Sequence, residues 1–411
     1  GLKSSGLRWY ERFSDCLREM DFFPCKAEPC IWMRRNGDLY EYIAVYVDDL
    51  AIACKDPEAI VSVLQDKYKF KLKGTGKIDY HLGCGFSRDE DGVLCISPRR
   101  YVDKMIDAYQ TMFGEMPSSK VQSPLEKGDH PEIDTSPLLD EDMIQKYQSL
   151  IGAMQWAVSI GQFDINVAVM TLSSFRAAPR QGHMDRIKRI YGYLSKFKDA
   201  TIRIRTEEPD FSSLPEQDYD WSHSVYGNVE EWIPDDAPEP LGNYVTLTHF
   251  VDANLYHDML TGRSITAILH FVNQTPLDWY TKKQATVETA TYASEFVAAR
   301  TCVEQIIDLR ITLRYLGVRI RDKSYMFGDN KSVVDSADRP HSKLHKRHTQ
   351  LSYHRVREAI ASGMIAFYHI GGDVNPADIL SKHWGHQQVW SLLKPLLFYP
   401  GDTIDLLELE K

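Results

Sequence analysis

The amino-acid sequence predicts a protein of mixed α/β (α+β) class. Short runs rich in Val, Ile, Tyr and Phe, which are typical of strands, alternate with longer segments whose apolar residues recur at helical spacing. The order of these elements differs between the two halves of the 411-residue chain. Between the halves lies a segment rich in proline and acidic residues with little periodicity, so we predict an irregular linker or insertion at 206–241.

The first half begins with helices and strands and ends with helices alone. Asn36-Gly37 lies between two predicted strands and is a strong hairpin signal. The predicted elements are a helix at 6–21, strands at 29–35, 39–47 and 50–54, a helix at 57–68, a strand region at 78–96, and helices at 99–112, 141–160, 164–176 and 183–197.

The second half starts with three strands, and helices then alternate with further strands. This order is typical of a mixed sheet with helices packed on it, so we predict a separate α/β domain here. The predicted elements are strands at 243–253, 264–272 and 277–281, a helix at 286–316, a strand at 323–328, helices at 330–337 and 343–362, a strand at 364–370 and a helix at 376–384.

The net charge of −10 comes from the acidic segment. Residues 207–240 contain eleven Asp and Glu residues and no Lys or Arg, so the remaining residues carry a net charge of +1. Basic residues concentrate at Arg99-Arg100 and in the stretches 176–198 and 341–357, where a phosphate backbone could bind. Solvated helix faces are the alternative interpretation of these stretches.

Composition also bears on cellular context. The longest apolar runs, at 269–272 and 364–370, are far shorter than the roughly 18 residues that span a bilayer, so we expect no membrane segment. The chain begins with Gly and shows no signal-peptide pattern, which predicts a fragment or a processed product. Seven cysteines without a CxxC motif predict reduced, buried thiols in an intracellular protein and no zinc site.

Two adjacent acids, Asp48 and Asp49, interrupt the strand-forming stretch AVYVDDLAIA at 44–53. An unpaired carboxylate buried in a sheet costs on the order of several kcal/mol. A functional site would offset that cost, and an acidic turn between strands is the alternative.

In the second half, four acids lie within or at the ends of predicted elements. They are Asp252 in the first strand, Glu295 in the long helix, Asp329 at a strand end and Asp378 at a helix start. Strand ends converge at one edge of such a sheet, where four carboxylates would repel one another without a cation. Hard oxygen ligands favour Mg²⁺ or Mn²⁺, and two such ions can activate a water and stabilise the leaving oxygen of a phosphodiester. Capping and turn roles are the alternative.

Several motifs resemble those of the Pol polyprotein of copia-type LTR retrotransposons, over nearly the whole chain. In the first half these are GLKSSGLRWYERF (1–13), KAEPCIW (26–32), YVDDLAIA (46–53), YHLGCGFSRDEDGVLCISPRRYVDKMI (80–106) and YQSLIGAMQWAVSIGQFDINVAVMTLSSFRAAPRQGHMDRIKRIYGYL (147–194). In the second half VDAN, TGRSITA, DWYTKKQATVETATYASEF, GDNKSVV, HSKLHKRHTQLSYHRVRE and NPADILSKHW follow the order of the family's ribonuclease H (RNase H) domain.

The resemblance implies a modular chain with both nucleic-acid enzymes of Pol represented. The implied parts are a partial reverse transcriptase palm at 1–115, a helical thumb or connection region at 116–205, the acidic segment, an RNase H-like mixed-sheet domain at 242–390 and a C-terminal tail at 391–411. In the palm, the resemblance makes Asp48 a ligand of catalytic metal and Asp49 a nearby charge. The family's other palm acid lies upstream of the GLK segment, so we expect the polymerase part to be incomplete and inactive in this chain.

For the RNase H part, the resemblance makes Asp252, Glu295, Asp329 and Asp378 the catalytic, metal-binding carboxylates. The family's SSTEAEY is TATYASEF here, which retains Glu295, and the reserve candidate is Glu288, seven residues earlier on the predicted helix. The family's DADWAG is VDANLYHD, which retains Asp252 but changes its neighbours. His369 corresponds to a loop histidine that helps proton transfer or product release, and a hydrogen-bonding strand-end histidine is the alternative.

The expected reaction is Mg²⁺- or Mn²⁺-dependent hydrolysis of the RNA strand of RNA/DNA hybrids, leaving a 5′-phosphate and a 3′-hydroxyl. Expected backbone contacts are Lys282, Lys283, Lys331, Lys343, Lys346 and Arg347. The histidines 341, 345, 348 and 354 are expected to contact the hybrid rather than a metal, and a plain exposed helix is the alternative.

Expected partners are the hybrid, the template-primer and the rest of Pol, with a dimer left open and no membrane. The expected location is intracellular, in cytoplasmic virus-like particles or the nucleus. The rival hypothesis is a non-catalytic nucleic-acid-binding module that is decayed or co-opted.

Overall fold

The computed structural model describes residues 5–344 and 347–398 and confirms the mixed α/β class. The strands are β1 Phe23–Pro24, β2 Ile31–Asn36, β3 Leu39–Tyr46, β4 Asp49–Ala53, β5 Tyr80–His81, β6 Cys84–Arg88, β7 Leu94–Ser97, β8 Ile202–Arg203, β9 Leu241–Val245, β10 Leu247–Asn254, β11 Ile265–Val272, β12 Thr275–Lys283, β13 Val318–Ile320, β14 Ser324–Gly328 and β15 Ile365–His369. The helices are α1 Ser5–Glu19, α2 Pro57–Asp66, α3 Arg99–Phe113, α4 Glu141–Ser159, α5 Asn166–Ser173, α6 Gln181–Lys196, α7 Thr291–Tyr315, α8 Lys331–Asp338, α9 Gln350–Ala361, α10 Asp378–Ser381 and α11 His386–Leu397.

The chain forms two compact units, each built from separate stretches of sequence. The first unit contains the described residues up to His81 together with Trp232–Val245 and Ile307–Arg321. The second unit contains Leu82–Glu231, Thr246–Ile306 and the described residues from Asp322 onward.

The first unit is organised around an antiparallel sheet in the order β1-β2-β3-β4. The hairpin predicted from Asn36-Gly37 is confirmed between β2 and β3, but Asn36 pairs with Leu39, so the two-residue loop is Gly37-Asp38, and Gly37 has the positive φ that such a turn requires. The apolar side of α1 packs on the sheet, where Phe13 and Trp32 are almost fully buried.

The second unit contains a mixed five-stranded sheet in the order β12-β11-β10-β14-β15. The pairs β12-β11 and β11-β10 are antiparallel, whereas β10-β14 and β14-β15 are parallel. This arrangement confirms the mixed sheet expected from the element order in the second half of the sequence. The parallel strands β10, β14 and β15 are almost entirely buried, as expected when both faces of a sheet are covered.

The helices α3 to α6 share one hydrophobic core with this sheet. Tyr147 and Ile187 from the helices lie in the same buried cluster as Leu269 of β11 and Leu380 of α10. The indole of Trp279 also donates a hydrogen bond to the carbonyl oxygen of Val158 at 2.8 Å. The helical part of the second unit is therefore a structural support of the sheet.

Several predicted elements differ from the structure. The helix expected from residue 286 begins only at Thr291, and Thr286 instead uses its hydroxyl in a local hydrogen bond to the side chain of Glu288. The helix expected at 376–384 is the single turn α10, and the strand expected at 243–253 is divided into β9 and β10. Helix α11 was not predicted and crosses the expected start of the tail, whose residues 399–411 lie outside the described part.

The acidic segment is irregular, as predicted, but its first part belongs to the second unit and packs on the five-stranded sheet there. Residues 204–240 form no helix or strand. The ring of Phe211 contacts those of Tyr325 and Phe327, and Gln217 donates a hydrogen bond to the carbonyl oxygen of Phe367 on β15. This segment therefore covers the edge strand of the sheet.

The cysteines are all free, as predicted. Cys30 is exposed, and Cys54 and Cys84 are only partly buried, so burial holds for the other four. Within 5–344 and 347–398, no helix combines the length and apolarity needed to cross a bilayer.

Candidate metal centre

Two carboxylates lie side by side because their strands are parallel neighbours. Val251 of β10 pairs with Gly328 of β14, so the next residues, Asp252 and Asp329, lie at the same edge of the sheet. A Cβ on Gly328 would approach the ring of Phe367 to 3.2 Å, which favours glycine just before Asp329.

The third carboxylate comes from the first turns of α7. Oxygen atoms of Asp252, Glu295 and Asp329 all lie within 4.8 Å of one another. Asp252 and Glu295 are buried and Asp329 is partly buried. Three acids from three distant parts of the sequence thus share one pocket.

Asp378, the first residue of α10, interacts directly with Asp252. The loop before α10 is fastened to β10, because the buried side chain of Asn375 donates a hydrogen bond to the carbonyl oxygen of Val251 at 3.0 Å. Asn254 of β10 donates in turn to the carbonyl oxygen of Ser381 at 3.2 Å. Asn375 was not among the sequence candidates, although it begins the quoted motif NPADILSKHW.

The cluster is electrostatically unfavourable without a cation. Burial and the charges of Asp252 and Asp329 raise the pKa of Glu295 well above its usual value. Burial and Asp252 also raise the pKa of Asp329, and they raise that of Asp378 to about 6. One oxygen of Asp252 is buried without a hydrogen-bond partner among the described residues.

These observations fit a divalent metal. The donors are all carboxylate oxygens, which Mg²⁺ and Mn²⁺ prefer, and a buried oxygen without a hydrogen-bond donor is available for coordination. Asp252, Glu295 and Asp329 are the residues that would hold the ion, with Asp378 beside them.

A basic side chain that the sequence analysis did not single out also reaches this cluster. The ammonium of Lys382 forms an ion pair with Asp378 and lies 3.8 Å from a carboxylate oxygen of Asp252. Lys382 follows Asp378 by four residues, a spacing that places two side chains on one side of a helical turn. That spacing was the available sequence signal.

The two remaining candidates near the cluster have other surroundings. Glu288 is buried and accepts a hydrogen bond from Thr286, but it precedes α7, so its expected place on that helix was wrong. His369 is exposed at the end of β15, and its Nε2 donates to the backbone carbonyl oxygen of Asp329 at 3.1 Å.

Asp48 and Asp49 lie in a different setting, in the first unit. They are exposed at the hairpin that joins β3 and β4, where Val47 has a positive φ of 56°. Such a φ is unusual for a β-branched residue. Within the described part of the chain, neither acid belongs to a group of three metal-ligating side chains.

The proposed backbone contacts are of two kinds. Lys282, Lys331, Lys343 and Arg347 are exposed, whereas the ammonium of Lys283 forms a 2.7 Å ion pair with Asp258. Lys346 and His345 lie outside the described residues, as does the side chain of His348. His341 is exposed, and His354 shares a 2.7 Å hydrogen bond with the hydroxyl of Tyr226.

A cavity of about 100 Å³ adjoins the cluster. Lys127, from the loop after α3, lines it together with Asp373, Asp378, Lys382 and His383. Sequence reasoning missed Lys127, because nothing in its local pattern indicates that this loop approaches α10.

A family model described as "Reverse transcriptase (RNA-dependent DNA polymerase)" matches residues 1–119. The "Putative transposon Ty5-1 protein YCL074W" of Saccharomyces cerevisiae is 30% identical over 249 residues, which cover 60% of this chain and 75% of the yeast protein. The chain belongs to the copia-type retrotransposon Pol polyprotein family. The resemblance identified from its motifs is therefore confirmed.

Longer Pol polyproteins match nearly the whole chain. The "Retrovirus-related Pol polyprotein from transposon TNT 1-94" of Nicotiana tabacum is 23% identical over 398 residues, which is 93% of this chain. The "Retrovirus-related Pol polyprotein from transposon RE1" of Arabidopsis thaliana is 23% identical over 385 residues. This chain spans about a quarter of the length of these two relatives, 26% and 23% respectively.

Solved structures are similar at low identity. The N-terminal RNase H domain of Rv2228c from Mycobacterium tuberculosis, solved as a fusion with maltose binding protein, has 13% identity and a TM-score of 0.26, covering 37% of this chain and 98% of that one. The foamy viral protease-reverse transcriptase, solved in complex with RNA/DNA hybrid, has 14% identity and a TM-score of 0.37, covering 80% of this chain and 36% of that one.

Proposed function

We propose that this chain carries the RNase H activity of a retrotransposon Pol polyprotein and hydrolyses the RNA strand of RNA/DNA hybrids. The observation that supports this most is the convergence of Asp252, Glu295 and Asp329 within 4.8 Å in a chain of the Pol family. Asp378, fastened beside Asp252, is the fourth acid.

The four acids have distinct tasks in this proposal. Asp252, Glu295 and Asp329 hold divalent ions, and Asp378 completes the negative site from the α10 side. Bound Mg²⁺ or Mn²⁺ would supply an activated water and charge stabilisation for the leaving oxygen of the phosphodiester. The hydrogen bonds between β10 and the residues at either end of α10 keep Asp378 at a fixed position beside Asp252. This matters because small displacements at such sites reduce rates strongly.

The substrate is recognised through its backbone and sugars. Lys282, Lys331, Lys343 and Arg347 are exposed and basic and would contact phosphates. Selectivity for the RNA strand would come from contacts to its 2′-hydroxyl groups rather than to base edges. His369 is placed beside Asp329 and has a secondary role in proton transfer or product release.

We propose that the polymerase part is inactive in this chain alone. Asp48 and Asp49 are exposed, and among the described residues no third acid joins them. In this proposal the chain works as part of a longer Pol protein. That longer protein would bind the template-primer and would be intracellular. A primer-extension assay that showed DNA synthesis by the purified chain would contradict this part of the proposal.

The test is cleavage of an RNA/DNA hybrid whose RNA strand is labelled, with Mg²⁺ and with EDTA. We expect the wild-type chain to yield 5′-phosphate and 3′-hydroxyl ends only with Mg²⁺, and Asp329→Asn to abolish cleavage. Asp335→Asn, on the exposed side of α8, is the matched control and should cleave normally. Hybrid binding without cleavage by the wild-type chain would instead favour the non-catalytic module.

A further inference from the structure

The ammonium of Lys382 lies where a cation in the carboxylate cluster is needed. It forms an ion pair with Asp378 and approaches Asp252 to 3.8 Å, and the charge of Asp329 also acts on it. An amine that is paired with carboxylates keeps its proton, so the side chain is a cation at neutral pH. In the described part of the chain, the four acids have no other ion-pair partner.

The attraction between the ammonium of Lys382 and these carboxylates is strong in a partly buried pocket, because the effective dielectric constant there is far below that of water. Asp252 and Glu295 are each less than one-tenth exposed, so water can screen them little. The ammonium therefore offsets part of the mutual repulsion of the acids. A divalent ion would offset the same repulsion by contacting the same oxygens.

We infer that Lys382 is an internal counter-ion that competes with divalent metal for the carboxylates. The inference rests on the proposed function only in taking the cluster as a metal site. Lys382 stabilises the metal-free protein and moves aside when the metal binds. Lys382 is a positioning residue rather than a catalytic residue, because it acts through the carboxylates of the cluster.

The structure provides a place for the displaced side chain. Lys382 is 43% exposed along its side chain and borders the cavity of about 100 Å³, which Asp373 also lines. It follows α10, a helix of only four residues, so its long side chain is not held within a regular helix. Rotation about its own bonds can carry the ammonium from Asp252 toward this cavity.

If Lys382 competes with the metal, removing its ammonium should have opposite effects on the stability of the metal-free chain and on the affinity for Mg²⁺. Removing the ammonium should lower the melting temperature of the metal-free chain, since the acids lose their counter-ion. The same change should tighten Mg²⁺ binding, since the metal no longer has to displace a cation. An ordinary stabilising ion pair would give the first effect alone, and a residue that contacts the substrate would change KM without changing Mg²⁺ affinity.

The experiment is thermal unfolding of the full chain over a MgCl₂ titration, without nucleic acid. We expect Lys382→Met to melt lower than wild type in EDTA and to reach half of its Mg²⁺-induced shift at an about tenfold lower Mg²⁺ concentration. Lys382→Arg should stay near wild type in both respects. The matched control is Lys146→Met, which breaks a 2.7 Å pair of the same four-residue spacing, with Asp142 on α4, and should leave the Mg²⁺ midpoint unchanged.

An unchanged or higher Mg²⁺ midpoint in Lys382→Met would overturn the inference, as would a wild-type chain that does not respond to Mg²⁺. Should Lys382→Met not fold, Lys382→Gln gives the same comparison with a polar neutral side chain. The hybrid-cleavage test is separate. Wild type could fail to cleave hybrid while Lys382→Met shows both the lower melting temperature in EDTA and the lower Mg²⁺ midpoint. In that case the counter-ion inference stands and the proposed nuclease reaction does not.

Discussion

The two groups of acids in this chain differ in what surrounds them. Asp48 and Asp49 are adjacent in sequence and exposed on a hairpin, whereas Asp252, Glu295 and Asp329 are far apart in sequence and meet within 4.8 Å. Exposed carboxylates are hydrated and need no cation, but buried ones that converge raise each other's pKa values. Convergence in a low-dielectric pocket, rather than adjacency in sequence, therefore creates the need for a cation beside the acids.

The largest expected effect separates these two groups. Asp252→Asn should lower hybrid cleavage by roughly a thousandfold, because a ligand shared by the converging acids is lost. The double change Asp48→Asn with Asp49→Asn should leave cleavage within about twofold of wild type. Initial rates with saturating hybrid and Mg²⁺ measure both, and a large loss in the hairpin variant would erase the distinction drawn between the two groups.

A second comparison concerns two glutamates of the same segment, both buried. Glu295→Gln should lower cleavage by roughly a hundredfold, because an amide replaces a charged ligand oxygen. Glu288→Gln should retain cleavage within about threefold, since Glu288 accepts a hydrogen bond from Thr286 and belongs to no metal-capable group among the described residues. The reverse order of effects would make Glu288 the ligand.

A buried acid outside the cluster tests whether hydrogen bonds can replace a cation. Asp164 is fully buried in the helical part, where it accepts hydrogen bonds from Gln162 at 2.8 Å and Tyr193 at 2.6 Å, and burial raises its pKa to about 6. The folded state then holds a proton that the unfolded state releases near pH 4. The contribution of Asp164 to the free energy of unfolding should therefore fall between about pH 4 and pH 6, by as much as about 3 kcal/mol.

Asp164→Asn removes this titration. Urea unfolding of the wild type and the variant at several pH values, in EDTA, measures the difference. We expect the loss of stability between pH 4 and pH 6 to be smaller in the variant, and Asp218→Asn in the acidic segment to behave as wild type. Identical pH profiles for Asp164→Asn and wild type would show that Asp164 is ionised in the folded protein at acidic pH.

The smallest expected effect concerns a basic residue near the cluster. Lys127 is exposed and lines the same cavity as Asp378, so Lys127→Met should raise KM for the hybrid about threefold at low salt, and less at high salt. Lys120→Met removes an exposed charge in the same helical region and is the matched control. An equal change in both variants would mean that only net charge matters.

Much of the fold was predictable from sequence because it rests on local rules. The hairpin at Asn36-Gly37 follows from turn chemistry, and the helical spacing of apolar residues at 141–160 agrees closely with α4, Glu141–Ser159. The start of α7 was not predictable in this way. Residues 286–290 are Thr-Val-Glu-Thr-Ala, in which three β-branched residues disfavour a helix, and the hydrogen bond from Thr286 to Glu288 is one that such side chains form outside helices.

The acids at 252, 295, 329 and 378 could be singled out because each interrupts or ends an apolar element. Asn375 and Lys127 could not be singled out, because Asn375 has ordinary local surroundings and Lys127 reaches the cavity from a distant loop. For Lys382 the sequence signal was its four-residue spacing from Asp378, which does not reveal that the ammonium also approaches Asp252. Helix α11 was missed for a similar reason, since it packs on β8, far away in sequence, near the point where the backbone N–H of Thr201 donates to the carbonyl oxygen of Leu397.

The sequence by itself determined the alternation of strands and helices, the position of the acidic segment and the membership of the Pol family, because these depend on residue order and type. Only the tertiary structure decided which acids share a pocket and which cation reaches them. The physical reason is that charge interactions depend on distance and burial, and both are set by the parallel pairing of β10 with β14 and by the attachment of α10 to β10.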